Sequence, residues 1–208
     1  YAQSFLEGGL KPNSRVSTLA DSGVLLRLDG NAGFGQVVGH EAMALGIERA
    51  HLVGASMGGM IAQNVAALHP QRVASLTSIM SSTGNPSPRV ALGRPRALRA
   101  ILARPTSTSD VETLVEHYVR VFGVIGSPGF AVDGELLRHN LRRIVSRGIH
   151  PPGTARQLLA ILASGDRRAL LARIVSPTLV VHGIDDPLLP VAAGHDTALH
   201  IPGARLEI

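Results

Sequence analysis

The stretch Leu52-Val53-Gly54-Ala55-Ser56-Met57-Gly58-Gly59 constrains this 208-residue chain more than any other. A short apolar run leads into a G-x-S-x-G pattern, and an apolar, alanine-rich segment runs on from Met57 to Leu68 until His69-Pro70 ends it. That order predicts a strand, a sharp turn and a helix, with Ser56 at the turn. A serine held clear of the backbone on such a turn leaves no room for side chains two residues to either side, and Gly54 and Gly58 meet that requirement. Gly59 lets the start of the helix pack against a neighbouring strand. The helix N-terminus aims unpaired N–H groups at the serine, which suits a developing oxyanion. A glycine-rich turn with an incidental serine is the plainer reading. Strand, helix and third glycine together favour a nucleophile, and they predict backbone dihedrals at Ser56 in a sparsely populated region.

Around this stretch the pattern is that of one α/β domain with a helical insertion. Residues 1–22 show no strong periodicity, and Gly8-Gly9, Pro12, Asn13 and Ser14 read as loop. Val24–Leu28 reads as a strand ended by Asp29-Gly30, and His40–Leu45 as a short helix closed by Gly46. The glycines at Gly33 and Gly35 do not complete a phosphate-cradling G-x-G-x-x-G, because the last position is Val38. Val73–Met80 reads as a buried strand, so the unit from Leu52 to Met80 predicts two parallel strands joined by a right-handed crossover. From Arg89 to Arg173 helical patterns dominate, over Val90–Leu102, Asp110–Phe122, Gly134–Ser146, Thr154–Ser164 and Arg167–Ile174. Pro105, Gly126-Ser127-Pro128-Gly129 and Pro151-Pro152-Gly153 punctuate them, and Glu112, Glu116 and Arg120 have the spacing of charges on one helix face. Strand signals resume at Thr178–Gly183, the turn Ile184-Asp185-Asp186-Pro187 follows, Ala192–Leu199 reads as helix, and Ala204–Ile208 starts another strand. The expected division is a partial core over 1–88, a helical cap over 89–173 and the remainder of the core over 174–208.

Composition narrows the function classes. The chain carries a formal charge of +5, yet Lys11 is its only lysine. Its arginines are scattered through amphipathic segments and aromatics make up 3% of the residues, so the basic balance does not point to nucleic-acid binding. With no cysteine, disulfides and thiolate metal sites are excluded. No apolar run of about 18 residues predicts a membrane span, no signal pattern opens the chain, and a cytoplasmic location is expected. The first residue is Tyr1 and the last, Ile208, falls inside a strand pattern, which reads as a chain cut at both ends.

In an open parallel sheet, ligands gather at the carboxyl ends of the strands. Ser56 follows one such end, and Asp185 and Asp186 follow another. A serine nucleophile needs a base, usually histidine, and the histidine needs a carboxylate to fix its tautomer. Either aspartate serves as that third member; taken alone, an Asp-Asp-Pro sequence is a self-bonded turn. His195 and His200 follow in sequence as weaker candidates for the base.

These residues resemble the α/β-hydrolase fold family, with a likeness to bacterial esterases of the aclacinomycin-methylesterase type. The likeness rests on Leu45–Gly59, Thr178–Leu188 and Ile201–Leu206. It implies Ser56 as nucleophile, the Met57 backbone N–H as one oxyanion donor, and Asp186 rather than Asp185 as the acid. It implies a helical cap shaping substrate choice, acyl-enzyme chemistry on a small carboxylic ester, and neither metal nor cofactor. The family's His-Gly motif before the elbow finds no counterpart here, where Gly39-His40 has the order reversed. Its catalytic histidine lies in a Gly-His pair beyond the final strand, and none of the chain's nine histidines stands in that place. Rival readings are another acyl or carbon–carbon hydrolase, a cofactor-free haloperoxidase-like protein, or a non-catalytic binding member of the same fold.

Overall fold

The computed structural model describes residues 14–19, 23–28, 48–146 and 151–208. The expected helix at His40–Leu45 and the glycine loop before it lie outside those residues. A six-stranded sheet runs in the order of the chain: β1 (Ser14–Leu19), β2 (Gly23–Leu28), β3 (Ala50–Ala55), β4 (Val73–Ile79), β5 (Thr178–Val181) and β6 (Arg205–Glu207). β1 is antiparallel to β2, and every later neighbour is parallel. Helix α1 (Met57–Leu68) makes the crossover from β3 to β4.

Between β4 and β5 the described residues form helices only: α2 (Pro88–Ala91), α3 (Pro95–Leu102), α4 (Val111–Ile125), α5 (Gly134–Ser146), α6 (Pro151–Ser164) and α7 (Arg168–Leu171). α8 (Val191–His200) connects β5 to β6.

The alanines of α1 explain how tightly the layers close. Ala62, Ala66 and Ala67 are buried with Val65 against Ala50 and Leu52 of β3 and Val73 and Leu76 of β4, and Leu171, Ile174 and Ile201 complete the cluster. Removing each of the larger aliphatic side chains from water contributes about 1.5–3 kcal/mol. A second, separate cluster joins Leu114 and Val115 of α4 to Leu141 and Val145 of α5. Asp110 caps α4 by accepting from the Thr113 N–H at 2.7 Å.

The structure departs from the sequence reading in four places. Ser14–Leu19, read as lacking strong periodicity and with Ser14 in a loop, is a strand. Its hairpin register, Ser14 opposite Leu28 through Leu19 opposite Gly23, supplies a main-chain ladder that its mixed residue types do not advertise. The single helix expected over Val90–Leu102 is two, because Pro95 forbids a helical residue before it and Gly93 sits in the break. Pro151 opens α6 where punctuation was expected, since its fixed φ suits the first helical turn. Finally, Glu112 and Glu116 find their cations on the neighbouring helix. Arg142 bonds both oxygens of Glu112 at 2.8 and 2.9 Å, and Arg138 bonds Glu116 at 2.9 Å.

Candidate active site

The elbow is built from backbone constraints. Ser56 lies between β3 and α1 with φ 53° and ψ −120°, the strained conformation expected of it. A serine at a helix N-cap ordinarily spends its hydroxyl on the first free N–H groups. Ser56 makes no such bond, so its Oγ is not committed to capping. Its N–H donates to Ile79 O at 2.9 Å, and its carbonyl accepts from Gly59 and Met60 at 3.0 and 3.2 Å. A Cβ at Gly54 would stand 2.2 Å from Gly58 O and 2.7 Å from Gly59 N, so the close approach read from the sequence is real. Met57 is the first residue of α1, where N–H groups lack intrahelical partners.

β3 and β5 are parallel with only β4 between them, and Ser56 and Asp186 both follow strand carboxyl ends. Two strand spacings place those ends about 10 Å apart on one edge of the sheet. Asp186 Oδ1 accepts the N–H groups of Leu188 and Leu189 at 2.8 and 2.9 Å, and its own N–H donates to Gly183 O at 3.2 Å. One carboxylate oxygen thus forms the self-bonded turn that an Asp-Asp-Pro sequence favours. The side chain of Asp186 is 14% exposed, whereas Asp185 is exposed outright.

His182, at the end of β5, stiffens this turn. Its buried Nε2 lies 2.9 Å from Leu189 O and 3.7 Å from Asp186 Oδ2. A carbonyl only accepts, so Nε2 carries the proton, and Nδ1 is buried with no partner among the described residues. The ring rests on α8, where a Cβ at Gly194 would come within 2.6 Å of His182 Cβ. The break between α2 and α3 reaches the same turn: Arg94 N–H donates to Pro187 O at 2.7 Å, and a Cβ at Gly93 would stand 2.1 Å from Leu188 O.

Of the weaker candidates, His195 is exposed on α8, and His200 Nδ1 meets the Asp196 carbonyl at 2.8 Å. Neither is hydrogen-bonded to Ser56 among the described residues. Among those residues no group of three or more His, Cys, Asp or Glu side chains could hold a metal ion, and no helix is long and apolar enough to cross a membrane.

Nothing in the sequence singles out Ser81–Asn85 as part of a site. Ser81, Ser82, Thr83 and Asn85 are buried there. Thr83 Oγ1 and Asn85 Nδ2 donate to Asp196 at 2.5 and 2.9 Å, and the buried Arg167 donates from Nη2 to Ser82 O at 2.8 Å. Burial pushes the Arg167 pKa down. The only local signal was a run of turn-forming residues.

Residues 43–208 match a family model described as alpha/beta hydrolase fold. The chain is 30% identical over 167 residues to a 2-hydroxy-6-oxononadienedioate/2-hydroxy-6-oxononatrienedioate hydrolase from Burkholderia vietnamiensis, covering 79% of this chain and 55% of that one. It is 30% identical over 198 residues to a pimeloyl-[acyl-carrier protein] methyl ester esterase from Aliivibrio salmonicida, covering 93% and 72%. Among solved structures, Est816, an N-acyl homoserine lactone degrading enzyme, aligns with a TM-score of 0.63 at 24% identity, over 88% of this chain and 72% of that one. Over 51 residues the chain is also 49% identical to hydroxycarboxylate dehydrogenase B from Escherichia coli, covering 24% of this chain and 14% of that one. The chain spans about half the length of the dienedioate hydrolases it matches.

Proposed function

Since the chain belongs to the α/β-hydrolase fold family, we propose that it is the nucleophile-and-acid portion of a serine hydrolase acting on a small carboxylic ester. Ser56 is the nucleophile and attacks the ester carbonyl. Its Oγ bonds to that carbon, the carbonyl electrons move onto oxygen, and the Met57 N–H stabilises the charge. Collapse expels the alcohol, whose oxygen takes up the proton that Oγ gave to the base, and leaves an acyl-Ser56 that water hydrolyses. Asp186 is the acid that orients the base. One of its oxygens holds the turn, and the other remains for a histidine N–H. The helices 89–173 serve as the cap that selects the ester.

The observation that carries this reading is the strained Ser56 with its hydroxyl uncommitted at the head of α1. The methyl ester esterase among the relatives supports the ester class. A second reading, cleavage of a carbon–carbon bond in a 2-hydroxy-6-oxo dienedioate, draws support from the relatives so named.

Within these residues no histidine stands in the family's place after the final strand, so we expect Ser56 to acylate and to turn over poorly. Losing the histidine of a serine triad costs about 10⁶ in kcat, or roughly 8 kcal/mol of barrier. The test is acylation by a p-nitrophenyl ester and by a fluorophosphonate, with Ser56→Ala as control. Slow modification confined to Ser56 is the expected result. Equal modification of the Ser56→Ala protein would sink the nucleophile assignment and leave a binding member of the fold. Robust turnover would instead make His195 or His200 the base, to be separated by single alanine changes.

A further inference from the structure

The strained backbone of Ser56 is gripped from just beyond the carboxyl end of β4. Beyond the bonds already described, the Ser56 carbonyl accepts the hydroxyl of Ser81 at 2.8 Å. Ser81 is 3% exposed, and it follows Met80, the other described non-glycine residue with positive φ, at 41°. That reversal turns the chain back over the elbow as β4 ends. Gly59 makes the space: a Cβ there would stand 2.6 Å from Ser81 Cβ and 2.7 Å from Ser81 Oγ. The far end of the same loop is anchored twice. Arg167 bonds Ser82 O through Nη2 and Thr83 O through its backbone N–H, both at 2.8 Å, and Thr83 and Asn85 hold Asp196. A Cβ at Gly84 would come within 2.0 Å of Gly165 O, so the loop cannot slide past the segment that carries Arg167.

We propose that Ser81 is a positioning residue, whose hydroxyl braces the Ser56 carbonyl and so keeps the elbow in its strained conformation. Its catalytic consequence rests on the reading of Ser56 as nucleophile; the brace itself does not. Removing the donor leaves the carbonyl its two helix bonds and frees the loop from the elbow. The test uses the full chain with Ser81→Ala, Ser81→Cys as a volume-conserving change with a weak donor, and Ser81→Thr as the conservative rescue. Amide hydrogen exchange at Ser56, Gly59 and Met60 is expected to speed about tenfold in the alanine protein, the worth of one such bond, and less in the cysteine protein. It should return toward the parent value with threonine, while Leu52 and Val180 stay as they were. Unchanged exchange at the elbow in both the alanine and cysteine proteins would overturn the brace. The fluorophosphonate rate at Ser56 should fall by a similar factor. If no variant is labelled, the nucleophile reading fails while the exchange result still decides the brace.

Discussion

At the scale of single residues, the elbow was legible because its constraint is local. A serine flanked by glycines two positions away states the close approach in the sequence itself, and the backbone obeys it. Gly54→Ala would drive a Cβ into main-chain atoms that cannot swing aside, and should destabilise by about 3 kcal/mol. Gly123 is the control: nothing lies within 4 Å of its added Cβ in the interior of α4, so Gly123→Ala should stabilise by about 1 kcal/mol. Urea denaturation measures both. Asp186→Asn keeps an oxygen for the N–H groups of Leu188 and Leu189, so the melting temperature should hold. Any Ser56-dependent turnover should fall about 10⁴-fold, as when a triad carboxylate becomes an amide. Asp185→Asn should alter neither, and a reversed pattern would move the acid to Asp185. By contrast, Ser81, Gly93 and Gly194 matter through partners remote in the chain, and no local pattern announces such a partner.

At the scale of elements, the helices between β4 and β5 were placed well by periodicity, and α5 begins and ends where the pattern put it. The pairing of α4 with α5 was not legible. A charge on a helix surface has neighbours on its own helix and on the next one, and the geometry of the pair chose Arg138 and Arg142 over Arg120. This pair also carries a pH response. Burial, with a smaller contribution from Arg120, pushes the His117 pKa below its ordinary 6.5. The unfolded chain therefore binds the proton more readily, and stability rises with pH across the interval between the two pKa values. The melting temperature should fall as the pH drops through 6.5 and level off below the folded-state pKa. His117→Phe should flatten that limb. Glu112 and Asp110, held below their ordinary values by Arg142 and Thr113, add a separate loss in more acid solution, as pH falls through their folded values. A limb near pH 6.5 that survives His117→Phe would assign it to another histidine.

At the scale of the whole molecule, α/β class, crossover and strand direction could all be read from the alternation of apolar runs and helices. The hairpin of β1 with β2 could not, because its pairing depends on a partner rather than on its own residues. The sheet has a further property: its strands lie in the order in which they are made. Each new strand finds its partner already at the growing margin, and none has to be threaded between two others. During synthesis the sheet can therefore extend in one direction as the chain leaves the ribosome. The exception is the join of β4 to β5, where Ile79 must wait for Val181 while the helices are made. Closing so long a loop costs more entropy than closing the short ones around it. Pulse-labelled refolding should show β3 and β4 protected first and β5 and β6 together afterwards. Until β5 docks, the exposed margin of β4 is a strand seeking a neighbour, and the window for mispairing with another copy opens there.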